Sequence, residues 1–124
     1  MKEIVTDDAP AAIGPYSQGI IDGDRIFVSG QGAVDPKSGE VVSDDISEQT
    51  ARTLENAAAI LKAADASLND VVKATVFVTD MSNYDAVNEV YAEYMSEPFP
   101  ARSAVEVTDL PVDIGVEIEV VASR

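Results

Sequence analysis

Arg102 follows the stiff lead-in Phe99-Pro100-Ala101, in a chain whose eight basic residues are otherwise scattered singly. At the start of a strand, its guanidinium fork can grip a carboxylate through two parallel N–H bonds. The other use open to it is an ordinary ion pair with one of the 23 acidic residues. Glu117, in the alternating run Val116 to Ala122, has a similar pair of readings. Facing inward it can order or activate a water as a general base, and facing outward it solvates a strand. Around these two lie weaker candidates. Tyr16, beside Gly14-Pro15, can wall a pocket or simply pack. Ser29-Gly30 can offer backbone donors to an anion or merely turn the chain. Asn88 can bind a ligand or sit at the surface. Tyr84, Tyr91 and Tyr94 recur at helical spacing, which points to core or interface before a binding platform.

The absent residue types narrow the chemistry further. Cys 0 and His 0 exclude disulfides, thiolate nucleophiles, imidazole bases and the usual zinc, copper or haem ligands. No Asp-rich calcium loop of the D-x-[DN]-x-[DN]-G kind is present. The expectation is a site without metal or cofactor. A formal net charge of −15, with no basic stripe, sets the chain against nucleic-acid phosphates. Its 23 acidic residues against 8 basic ones read as solvation in a salt-rich cytoplasm, where screening removes self-repulsion. Neither a secretory signal nor an apolar run of about 18 residues is present, so a cytoplasmic protein without a membrane segment is expected.

The elements that must position these groups are legible. With 124 residues and 46% hydrophobic content, residues 1–124 fit a single domain. Mass scaling gives it about 6,400 Å² of folded surface. Two apolar runs flank Asp22-Gly23-Asp24, a strong hairpin signal. Ile46, Thr50, Leu54, Ala57, Leu61 and Ala64 step by three or four and predict a helix, with Asp45 and Glu48 as a capping box and a left-handed end near Asp65. Val71 to Thr79 predicts a strand with Val72, Ala74, Val76 and Val78 on one face. Ser82 and Asp85 predict a second capping box, opening a helix that runs to about Met95 and is stopped by Pro98 and Pro100. Strands at Arg102 to Val107 and Val116 to Ala122 complete the order ββ(β)αβαββ. That order is an α+β fold, a sheet with both helices on one face. The other face would lack cover, which suggests burial in an oligomer.

These segments together resemble the RidA (YjgF/YER057c/UK114) family of enamine/imine deaminases over nearly the whole chain. The resemblance is carried by APAAIGPYSQG at 9–19, VSGQ at 28–31, GEV at 39–41, VVKATVFVTDM at 71–81, VNEVY at 87–91, FPARSAVEV at 99–107 and VEIEVVA at 116–122. It implies a chorismate-mutase-like subunit with a mixed sheet, assembled as a homotrimer with ligand clefts between neighbours. It also implies hydrolysis of 2-iminopropanoate and 2-iminobutanoate to 2-keto acids and ammonia, downstream of PLP-dependent dehydratases, with PLP belonging to those partners. By motif position Arg102 would hold the substrate carboxylate and Glu117 would position the hydrolytic water. Tyr16, Ser29, Gly30, Asn88, Ser103 and Ala104 would complete the cleft. Ala104 stands where many members carry Cys, which excludes a thiol-dependent step. Two rival functions attach to the resemblance: a non-catalytic module that senses 2-keto acids or similar carboxylates, and a ribonuclease or translation inhibitor, which the charge disfavours.

Overall fold

A computed structural model describes residues 1–124, with a folded surface of 6806 Å², close to the value that mass alone dictates. The chain runs β1 (Lys2–Ile4), β2 (Gly19–Asp22), β3 (Arg25–Gln31), α1 (Ile46–Ala63), β4 (Val71–Val78), α2 (Tyr84–Tyr94), β5 (Ala101–Glu106) and β6 (Val116–Ser123). The strands form one mixed sheet in the order β1-β2-β3-β6-β4-β5, antiparallel throughout except for the parallel pair β4 and β5, which α2 connects. The third early strand is β1, ahead of the hairpin. Residues 34 to 41, where the sequence left room for it, form only an isolated bridge between Val34 and Val41.

Local chemistry explains the element ends. The Asp22–Arg25 hairpin closes through Gly23 at φ +60, where a Cβ would be strained. Asp45 caps α1 by accepting from the Glu48 amide at 2.9 Å. The reciprocal half of the capping box is diverted, because Ser43 accepts from the Asp45 amide and donates to Glu48. Asp65 takes the left-handed conformation at φ +58, as the end of the helical pattern requires. The expected box at Ser82 and Asp85 does not form. Asp80 instead caps a short 3₁₀ turn, Met81–Asn83, through the Ser82 amide, and α2 begins after it with no side-chain cap from Asn83.

Both helices lie on one face of the sheet. Leu54, Ala57, Ile60 and Leu61 of α1 pack with Val87 and Tyr91 of α2 against Ile26, Val76, Ile118 and Val120. Each fully buried aliphatic side chain contributes about 1.5–3 kcal/mol. One face assignment differs from expectation. The pairing of β4 with β6 shifts between Val71 and Lys73, so Val71 takes the inward place and Val72 is left exposed. Four polar residues of α1, Gln49, Thr50, Thr53 and Asn56, are buried with their bonds satisfied. The Asn56 amide donates to the carbonyls of Gly32 and Val34 at 3.0 and 2.9 Å, and Gln49 accepts from the Gly115 amide at 2.8 Å. These two amides fasten the exit of β3 and the entry of β6 to α1.

The opposite face of the sheet has no covering layer within the chain. Phe27 and Val105 on it are 45% and 41% exposed, and Phe77 and Val121 are half-buried. No helix is long and apolar enough to cross a membrane.

Candidate functional site

The crossover from β4 through α2 to β5 carries Arg102 under α2. Arg102 pairs with Ala74, which is buried on the helix side of the sheet, so its side chain rises toward α2. Its guanidinium carbon lies 4.8 Å from the Tyr91 ring centroid and 5.6 Å from that of Tyr84. The Arg102 Nη2 group donates to the Tyr84 hydroxyl at 3.0 Å. No carboxylate neutralises it, since the one ion pair in the chain within 4.0 Å joins Arg52 to Glu55. Six other basic residues also lack an acidic partner, but Arg102 alone among the eight lies over tyrosine rings.

Arg102 lines a cavity of about 250 Å³ with Asn88, Tyr91, Ala92, Phe99 and Pro100. Two of the residues that line it each carry a buried side-chain oxygen without a hydrogen-bond partner, Asn88 Oδ1 and Tyr91 Oη. Such orphans are rare in folded proteins and mark places where a ligand, a water or another chain supplies the missing bond. Burial pushes the Tyr91 hydroxyl pKa up, and the Arg102 charge opposes the shift only in part, so the phenol stays a neutral donor. Ala104 also faces the helix side, against the core. A larger, shallow depression of about 360 Å³ beyond α1 contains Lys62 as its one charged group and no orphaned polar atom.

Glu117 sits on the other face. It pairs with Phe77, three residues along β4 from Ala74 and therefore on the opposite side. The carboxyl lies over Gly30, where an added Cβ would meet Glu117 Cδ at 2.8 Å and Cγ at 3.1 Å, with Oε2 closer still. Gly30 has an ordinary φ, so glycine is needed there for this close approach and not for its backbone freedom. Among the 23 acids only Asp35, Asp70 and Glu117 are half-buried. Asp35 and Asp70 accept hydrogen bonds from turn amides, whereas Glu117 has no hydrogen-bond partner. Burial raises its pKa, and the neighbouring charge of Glu119 raises it further, so its carboxyl binds and releases a proton above the usual carboxylate range.

Ser29 and Gly30 occupy the irregular stretch where the pairing of β3 with β6 shifts between Val28 and Gln31. The Ser29 hydroxyl donates to the Ser17 carbonyl, and the Ser29 amide donates to Gln18 at 3.0 Å, which docks the 13–18 loop on this edge. That loop carries Tyr16, 52% exposed, its hydroxyl accepting from the Ile13 amide. Ser103 points to the open face as well, where its hydroxyl accepts from Lys73 at 3.3 Å.

The residues singled out from the sequence thus fall into two groups on opposite sides of one sheet: Arg102 and Asn88 under α2, and Ser29, Gly30 and Glu117 on the open face, with Tyr16 on the adjoining loop. One chain does not bring them together. The tyrosines that frame Arg102 were read from sequence as core or interface only. Their spacing with Asn88, at 84, 88 and 91, already placed all three on one helical face. What periodicity lacked was the crossover that sets this face above Arg102.

Known proteins similar to this chain agree with the fold. The sequence profile of the family described as Endoribonuclease L-PSP matches residues 6–124. A RutC family protein of Pyrococcus horikoshii is 54% identical over 125 residues, covering 100% of this chain and 99% of its own. The 2-iminobutanoate/2-iminopropanoate deaminase of Salmonella typhimurium is 48% identical over 126 residues, covering 99% and 98%. Among solved structures, RidA from the Antarctic bacterium Psychrobacter superposes with a TM-score of 0.96 at 44% identity, covering 100% of both chains. The TdcF protein of Escherichia coli with bound serine superposes at 0.95 with 43% identity, covering 100% and 99%. With the profile spanning 6–124 and relatives about half identical from end to end, the chain belongs to the RidA/YjgF family.

Proposed function

We propose that this protein hydrolyses small reactive 2-imino acids, 2-iminopropanoate and 2-iminobutanoate, to the corresponding 2-keto acids and ammonia. The observation that carries the reading is Arg102: a guanidinium with no acidic partner, held against two tyrosines beside a cavity that Asn88 and Tyr91, each with an orphaned polar atom, help to line. A fork so placed suits a carboxylate, and the cavity suits a ligand of a few heavy atoms. Supporting it, the 48% identical Salmonella relative is named for this reaction, and TdcF holds serine, a small amino acid with the same carboxylate.

In this mechanism Arg102 fixes the substrate carboxylate, which holds the adjacent imine carbon in one place. Glu117, ionised, accepts a proton from a water as its oxygen adds to that carbon. Glu117 passes that proton to the imine nitrogen and a carbinolamine forms. Glu117 then takes the proton of the carbinolamine hydroxyl and delivers it to the nitrogen, so that the C–N bond breaks and ammonia leaves as the C=O bond forms. Substrate and water supply every atom of the products, and the proton lent to Glu117 is given back. Since Arg102 and Glu117 lie on opposite sides of the sheet, one active site takes Arg102 from one subunit and Glu117 from its neighbour. The uncovered apolar face of the sheet, with Phe27 and Val105, supplies the contact for such an assembly, which we take to be a homotrimer. The supply of such imines falls to PLP-dependent dehydratases acting on hydroxy amino acids.

The test generates 2-iminopropanoate in situ from serine with a salt-tolerant dehydratase and lets semicarbazide compete for it. The wild type is expected to suppress the semicarbazone and Arg102→Ala is not. If neither does so while folded and assembled, catalysis is abandoned for a carboxylate-binding role. Sedimentation of the wild type tests the assembly, and an active monomer overturns the shared site.

A further inference from the structure

Arg102 is held in two different ways at once. The Tyr91 ring, its centroid 4.8 Å from the guanidinium carbon, holds the group by a cation–π contact but makes no directional bond that stops rotation about Nε–Cζ, which exchanges Nη1 and Nη2. The bond from Nη2 to the Tyr84 hydroxyl at 3.0 Å removes that freedom. A guanidinium has five N–H donors, and this bond occupies one. It therefore selects which two-donor edge remains open for a ligand. Tyr84 is well placed for the task. As the first residue of α2, it is fixed from behind by its own amide, which donates to the Met81 carbonyl, while the residue remains 37% exposed. No other side chain in the chain makes a hydrogen bond to Arg102.

We propose that Tyr84 is a positioning residue for Arg102, its hydroxyl holding the guanidinium in the one rotation that presents a paired N–H edge to a 2-keto or 2-imino acid carboxylate. This rests on the carboxylate-binding reading of Arg102 given above. It adds a residue whose contribution is the orientation of the fork, distinct from the cation–π contact that Tyr91 supplies.

Tyr84→Phe keeps the ring and deletes only the oxygen. Two measurements on the assembled protein decide the matter. In ¹⁵N NMR of the Arg102 side chain, the wild type is expected to show distinct Nη1 and Nη2 signals, and Tyr84→Phe a single averaged one. In titrations with pyruvate, Tyr84→Phe is expected to bind about three- to tenfold more weakly, the worth of one hydrogen bond. KM for the imine should rise by the same factor, with kcat within twofold and melting unchanged. Placed on Arg102→Lys, which has no fork to orient, Tyr84→Phe should add no further loss. Distinct Nη signals in Tyr84→Phe overturn the proposal, as does unchanged pyruvate affinity, or an equal loss in the Arg102→Lys background. Failure of the wild type itself to bind pyruvate overturns the carboxylate reading and this inference with it, and is told apart because it appears before any substitution is made.

Discussion

Gly30→Ala separates the position of Glu117 from the stability of the fold. The added Cβ would lie 2.8 Å from Glu117 Cδ and 3.1 Å from Cγ, against 3.4 Å or more for ordinary contact. The carboxyl carbon must retreat by about 0.6 Å, the difference of the first and last of these values, and Oε2, which is closer, by more. Because what must give is the end of a half-buried, unbonded side chain, a turn of its torsions by about 30° suffices, at about 0.5–1.5 kcal/mol. That corresponds to a fall of only a few degrees in melting temperature for a chain of this length. For the chemistry the same shift is severe, since misplacing a reacting group by about 1 Å lowers the rate on the order of 10²-fold. The assay is the semicarbazide competition, run beside thermal unfolding and a pyruvate titration of the Arg102 cavity. The expected result is a protein that folds and binds pyruvate as the wild type does but turns over imine about a hundredfold more slowly. A variant that keeps kcat within threefold, while Glu117→Gln is inactive, would refute the argument that Gly30 exists to admit that carboxyl.

Arg102→Lys retains the charge but not the fork, so most of kcat/KM in the imine assay is expected to be lost; near-wild-type turnover refutes the role. The pKa of Glu117 is raised from its ordinary 4.5 by burial, so between 4.5 and the raised value the native state holds a proton that the unfolded chain releases. Stability should therefore fall, and activity rise, as pH increases through that window. Melting of Glu117→Gln should lose this slope, and an identical slope in the variant rules the cause out. Asn56→Ala leaves the half-buried carbonyls of Gly32 and Val34 without their side-chain donor and should destabilise by about 1–3 kcal/mol in urea titration, where less than about 0.5 kcal/mol would mean that α1 does not fasten the end of β3. With 20 of 23 acids exposed and only one ion pair, melting temperature should rise from low to molar salt, and equal values in both would remove the self-repulsion argument.

Much of the fold was already written in local pattern. The period of α1, the left-handed stop at Asp65, the hairpin at Gly23 and the alternation of Val116, Ile118 and Val120 depend on neighbours within a few residues, and all of them recur in the structure. Where a distant partner decides, local pattern misled. Val72 yields its inward place to Val71 where the pairing with β6 shifts by one residue, Asp80 caps a 3₁₀ turn ahead of an α2 that has no side-chain cap, and β1 pairs with β2 although three residues carry no periodicity of their own. The site divides along the same line. Residue type and spacing offered Arg102, Glu117, Gly30 and Asn88 an ordinary structural use beside a chemical one, and only the resemblance to a known family singled them out.

The sequence by itself determined which groups exist and which helix or strand carries each of them. Only the tertiary structure decided that Arg102 is unpaired among 23 acids, framed by Tyr84 and Tyr91, and separated from Glu117 by the thickness of the sheet. The physical reason is that side-chain alternation assigns faces only relative to a strand's own neighbours. Which strands lie side by side, which face the helices cover, and what stands above Arg102 follow from the parallel crossover through α2, a long-range arrangement that no window of local sequence contains.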